Sequence, residues 1–131
     1  MAADGLITET SSRGMDETVA AFEAALKAKN LTVFARVDHG AGAKEAGMAL
    51  RPTVLFVFGN PRGGTPLMQS SQTAGIDLPL KMLIWEDEAG KVKLSYNDPA
   101  WIAARHGAGS AAQQAVAAMT AVLAGIAAAA K

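Results

Sequence analysis

Five consecutive apolar residues, Val54-Leu55-Phe56-Val57-Phe58, constrain this chain more than any other feature. The run is too short for a free-standing helix, and its β-branched and aromatic content suits a strand. With no polar side to offer water, it is expected to be a central strand covered on both faces. A chain of 131 residues provides one domain in which to bury it. The apolar fraction of 50% includes 29 alanines, so the larger side chains must be concentrated where elements meet.

The flanking sequence supplies the partners. Leu6 to Thr10 is a short strand candidate. Met15, Val19, Phe22 and Leu26 fall at i, i+4, i+7 and i+11, the stripe of an amphipathic helix. Asp16 and Glu17 in its first turn, with Lys27 and Lys29 in its last, suit the helix dipole. Asn30 suits a left-handed stop. Leu31 to Asp38 alternates, which predicts a half-buried strand, and one helical turn is expected within His39 to Ala49. Gly59 to Thr73, rich in Gly and Pro, is expected to be the longest irregular region.

Lys81–Glu86 and Lys91–Asn97 read as a hairpin turning on Asp87-Glu88-Ala89-Gly90. Asp98-Pro99 reads as the cap and first-turn proline of a helix closed by Gly107. Ser110 and Gln113 are expected to form a capping box for a last helix of about 20 residues. This order predicts an α+β single domain, β-α-β(4)-α, with a mostly antiparallel sheet packed against helices.

Composition excludes several functions. No cysteine means no disulfide, thiolate metal site or cysteine nucleophile. Zero net charge, no basic cluster and no interleaved aromatics argue against nucleic acid. The uncharged stretch Gly107–Ala130 is mostly Ala and Gly, and Val116, Met119, Leu123 and Ile126 form one stripe on it. It is therefore expected to be a helix of a soluble domain, not a membrane span. The first residues lack a basic-then-apolar signal pattern, so the cytoplasm is the default expectation.

Each chemical motif has a plain alternative. Gly59-x4-Gly64 resembles a phosphate loop, but Thr65 stands where the lysine must be, and Pro61 and Pro66 remove backbone donors. His39 is the candidate general base, with Asp38 or Asp98 to orient it, yet adjacent strand residues face opposite ways and no nucleophile elbow is present. His39 and His106 lie far apart in sequence and no acidic spacing matches a metal loop, so no metal and no cofactor are expected. His106 has a sufficient role at a helix's last turn, Asp77 before Leu78-Pro79 suits a turn, and Trp85 and Trp101 suit core or interface.

Asp38-His39, Phe58-Gly59-Asn60-Pro61, Gly64-Thr65-Pro66-Leu67-Met68, Asp77-Leu78-Pro79-Leu80-Lys81, Trp85-Glu86-Asp87 and Tyr96-x-Asp98-Pro99 occur in that order. Together they resemble the bacterial and archaeal "domain of unknown function 302" family over roughly residues 7–106. The resemblance implies a β-α-β(4)-α fold, a homodimer and no established activity, and some members are exported or attached to other domains. The chain is thus expected to be one domain over residues 1–131, its alanine-rich C-terminal helix at about 110–130 departing from the family, as does Arg62-Gly63.

The motif positions Asp38, His39, Asn60, Thr65, Met68, Asp77, Tyr96 and Asp98 are the candidate ligand-binding residues. The leading expectation is a homodimeric domain that binds or senses a small molecule. The alternatives are an enzyme using His39, a metal- or haem-binding protein, and a purely structural dimerisation domain.

Overall fold

The computed structural model describes residues 3–131. Five strands, β1 (Leu6–Thr10), β2 (Thr32–Asp38), β3 (Thr53–Gly59), β4 (Leu80–Glu86) and β5 (Val92–Asn97), form one sheet in the order β1-β5-β4-β3-β2. Every neighbouring pair is antiparallel. The helices are α1 (Met15–Ala28), α2 (His39–Glu45), α3 (Pro61–Ser70), α4 (Pro99–Arg105) and α5 (Gln113–Ala130), with 3-10 turns at Gln72–Ile76 and Ser110–Ala112. This is the expected α+β architecture.

Helix α1 forms where its apolar stripe predicts and lays Val19, Phe22 and Leu26 into the core. The Phe22 ring meets Phe56 at 4.9 Å and Phe58 edge-on at 5.5 Å, geometries that add about 0.5–1.5 kcal/mol to simple burial. Asn30 takes the left-handed conformation, φ 55°. In the hairpin, Asp87 Oδ1 accepts the Ala89 and Lys91 amides while Gly90 supplies φ 79°. At Gly5, φ 75°, a β-carbon would lie 2.2 Å from Trp101 Cγ, so only glycine lets the indole pack there.

Four expectations need correction. The run Val54–Phe58 is fully covered on one face only: Val54, Phe56 and Phe58 are buried, whereas Leu55 and Val57 on the other face are half-buried. The central strand is β4, because β2 takes the edge beyond β3. All seven residues of β2 are exposed, and its alternation is broken by a bulge between Val33 and Ala35 that presents Phe34 outward.

The expected loop after Gly59 is largely helical. Asn60 Oδ1 accepts the Arg62 amide at 2.9 Å, and Pro61, which has no amide proton to satisfy, opens α3. Pro66 sits inside that helix, which is held against the domain by the fully buried Leu67. Finally, Ser110 begins a 3-10 turn, and α5 starts at Gln113 without a side-chain cap. The apolar contacts of α5 are sufficient to fix it: Met119, Leu123, Ile126 and Ala127 are all buried.

Candidate functional site

Helices α3 and α5 and the start of β2 enclose a pocket of about 430 Å³. Its walls are Leu31 and Phe34 from the β2 side, Gly63, Gly64 and Met68 from α3, Leu78-Pro79-Leu80 leading into β4, and Ala118, Met119 and Val122 from α5. Asn60, Pro61 and Thr65 complete it, and among the described residues no charged side chain lines it. Gly64 keeps the α3 wall low, since a β-carbon there would meet Leu78 Cδ1 at 3.4 Å and Met68 Cε at 3.9 Å. Among the described residues, the structure therefore brings together three sequence-predicted positions, Asn60, Thr65 and Met68.

The other five lie elsewhere. Asp38 pairs across the sheet with Val54, six residues before Asn60 and so about 20 Å along the strand from the pocket. Its carboxylate accepts the Ala41 amide and caps α2, and His39 is the exposed first residue of that helix. Asp98 accepts the Ala100 amide and caps α4, as its sequence position predicts. The register links Asp38 through Val54 and Ile84 to Leu94. Asp98 is thus about 14 Å across and about 13 Å along the sheet from Asp38. A carboxylate at that distance cannot orient His39, and Asp38 Oδ1 is already spent on its cap.

Tyr96 is buried on β5. Its burial, and then the negative charges of Glu9 and Asp98, push its hydroxyl above the ordinary tyrosine value.

Asp77 belongs to a polar cluster that the sequence reading missed. Arg105 Nη1 donates to both of its carboxylate oxygens at 2.9 and 2.8 Å, and His106 Nε2 lies 2.6 Å from Oδ2. On its other side, His106 Nδ1 meets the Thr73 hydroxyl at 2.9 Å. Burial works to raise the Asp77 carboxyl, but the hydrogen bonds from His106 and Arg105, and then their charges, hold it below the usual range. Ser71 Oγ donates to the His106 carbonyl and Ser70 Oγ accepts the Gly109 amide. The cluster thus ties the end of α3 to the end of α4, with the pocket wall Leu78-Pro79 following directly from Asp77. The visible signal was an Arg-His pair at a helix end, which has no partner until the fold supplies one.

The site is a one-sided apolar pocket on a small antiparallel α+β domain, and the comparisons place that domain. Residues 7–126 match the family model "Domain of unknown function DUF302", so the chain belongs to the DUF302 family. An uncharacterised DUF302 protein from Bacillus stearothermophilus has the same fold, with a TM-score of 0.86, 22% identity, and coverage of 98% of this chain and 100% of that one. The chain is also similar to "Fluoride-specific ion channel FluC 1" of Brucella suis biovar 1, 52% identical over 115 residues, which are 88% of this chain and 45% of that protein. "Fluoride-specific ion channel FluC 2" of Brucella melitensis biotype 1 is likewise 52% identical over 115 residues, 43% of its length. The chain spans less than half the length of these curated relatives.

Proposed function

We propose that this protein is a homodimeric small-molecule-binding domain whose ligand occupies the pocket between α3 and α5. One observation carries the reading. Nine of the fifteen lining residues, Gly59, Asn60, Pro61, Gly64, Thr65, Met68, Leu78, Pro79 and Leu80, lie in the segments that carry the family resemblance. A concave, largely apolar site with few polar groups is what small-ligand binding requires. Ala118 lies on the exposed side of α5 yet lines the pocket, so Ala118→Trp fills the cavity without entering the core. Native mass spectrometry of the purified chain should show retained small-molecule mass that Ala118→Trp removes. A mass unchanged by that substitution would count against the pocket.

The homodimer draws its support from β2. This edge strand leaves Val33, Phe34 and Val37 exposed, and antiparallel pairing of an edge with its own copy is automatically two-fold symmetric. Val37→Lys should then yield a monomer by sedimentation, whereas an unchanged sedimentation coefficient would remove the β2 pairing.

The Brucella relatives favour a second reading, in which a domain of this kind serves as one part of a fluoride channel protein. The pocket would there be an accessory binding site. Helix α5 with its preceding turn, Ser110–Ala130, is long and apolar enough to cross a membrane, but it spends Met119, Leu123, Ile126 and Ala127 on the domain core. Removing the matched portion from the Brucella suis relative should leave fluoride efflux from vesicles in place, and lost efflux would assign that portion to the channel itself.

A further inference from the structure

The chemistry of the pocket narrows its ligand. A charged ligand entering it would lose water without gaining a countercharge, a penalty that favours neutral molecules. The start of α3 does not change this balance. Pro61 has no amide proton, the Arg62 amide is held by Asn60 Oδ1 at 2.9 Å, and the Gly63 amide is held by the Asn60 carbonyl at 2.9 Å. The first three positions of the helix therefore have no donor free for a carboxylate or phosphate.

Two polar groups at the pocket remain available. Asn60 uses its Oδ1 as a cap, and among the described residues its Nδ2 has no partner. The Thr65 hydroxyl is equally free. Both residues are exposed at the pocket wall. The same pocket is lined by two polarizable thioethers, Met68 on α3 and Met119 on α5, and by the phenyl ring of Phe34, which is 51% exposed. Sulfur and ring edges favour contact with a flat π system over a flexible alkyl chain. A volume of about 430 Å³ accommodates on the order of a dozen non-hydrogen atoms at about 30 Å³ each.

We infer that the pocket takes an uncharged aromatic or conjugated molecule bearing one carbonyl-type acceptor, with Asn60 Nδ2 and the Thr65 hydroxyl as donors to it. This rests on the pocket reading above and names the ligand class for that site.

The test is a matched set of probes, titrated against the full chain by calorimetry and by Met68 and Met119 methyl NMR. The probes are 2-acetylnaphthalene, 2-ethylnaphthalene, 2-naphthoate and 2-dodecanone. The ketone should bind about 25-fold more tightly than 2-ethylnaphthalene, about fivefold for each of two net hydrogen bonds, and at least about tenfold more tightly than 2-naphthoate. Asn60→Ala and Thr65→Val should each remove about fivefold of the advantage over 2-ethylnaphthalene, and together erase it. Thr65→Val keeps the inference testable if loss of the Asn60 cap unfolds α3.

Equal binding of 2-naphthoate would overturn the neutral class while leaving the pocket standing. Equal binding of 2-ethylnaphthalene would overturn the carbonyl contact, and equal binding of 2-dodecanone the aromatic preference. If no probe moves either methionine methyl, the pocket reading fails together with the ligand class.

Discussion

The ends of the neighbouring strands β2 and β3 carry the same kind of sequence and reach opposite outcomes. Asp38-His39 follows β2, and Asn60-Pro61 follows β3. In both, a short polar side chain caps the next helix, Asp38 to Ala41 and Asn60 to Arg62, each at 2.9 Å. Yet α2 has no buried residue, whereas α3 buries Leu67 and meets α5 to enclose a pocket. A cap fixes where a helix begins; what that helix does depends on whether another element lies against it. The Asn60 end has α5 beside it. At the Asp38 end α2 touches only the start of β3, beside a loop where Met48 is 69% exposed and Leu50 52%.

Substitutions can break this contrast, and the largest effect belongs to the cluster that anchors the pocket wall. Asp77→Ala leaves the buried His106 imidazole without its hydrogen-bond partner and should cost about 2 kcal/mol, read from urea unfolding. The contribution also has a pH signature. Because the folded carboxyl is held below its ordinary value, its stabilisation is complete above the unfolded value and is lost as pH falls through the folded one. The gap between wild type and Asp77→Asn should therefore close below about pH 4. A gap that is constant with pH would assign the loss to packing.

The cap pair sharpens the comparison further. Asn60→Ala should cost about 1 kcal/mol of global stability and weaken probe binding. Asp38→Ala removes an equivalent bond but should act locally, speeding amide exchange in α2 with little change in the unfolding midpoint. Equal midpoint shifts for the two would show that α2 is as integrated as α3.

The smallest effect concerns Tyr96. Its raised value means that the neutral phenol is favoured in the fold, so stability is complete below the unfolded value near 10 and falls as pH rises toward the folded one. Tyr96→Phe should flatten that alkaline decline in thermal melts above about pH 10. An identical decline in the variant would assign it to other groups.

Local chemistry was legible in the sequence. The α1 stripe, the Asp87–Gly90 turn, the Asp98 cap and the Asn30 stop each depend on residues within a few positions of one another. Placement across the sheet was not. The run Val54–Phe58 shows no polar alternation, so it reads as covered on both sides, although Leu55 and Val57 are only half-buried. The alternation of β2 suggested a buried face because periodicity cannot see a bulge or an edge. Gly59–Thr73 read as loop because Gly and Pro have low helix propensity, a local preference overridden by the Asn60 cap and the burial of Leu67.

The candidate residues divide in the same way. Asn60, Thr65 and Met68 are near neighbours in the chain and in space, but their other walls come from Leu78 and from Met119 on α5. Asp77 finds Arg105 and His106 only through the fold. Asp38 and His39 share a motif pattern with Asn60 and sit about 20 Å from it.

The most direct test of the pocket claim is a methyl-resolved NMR map of the whole chain during titration with 2-acetylnaphthalene. A ligand in the pocket should give saturable shifts at Met68, Leu78, Met119 and Val122, with Val37, Met48 and Leu50 unmoved. Shifts confined to Val37, Met48 and Leu50, or none at all, would contradict the pocket claim.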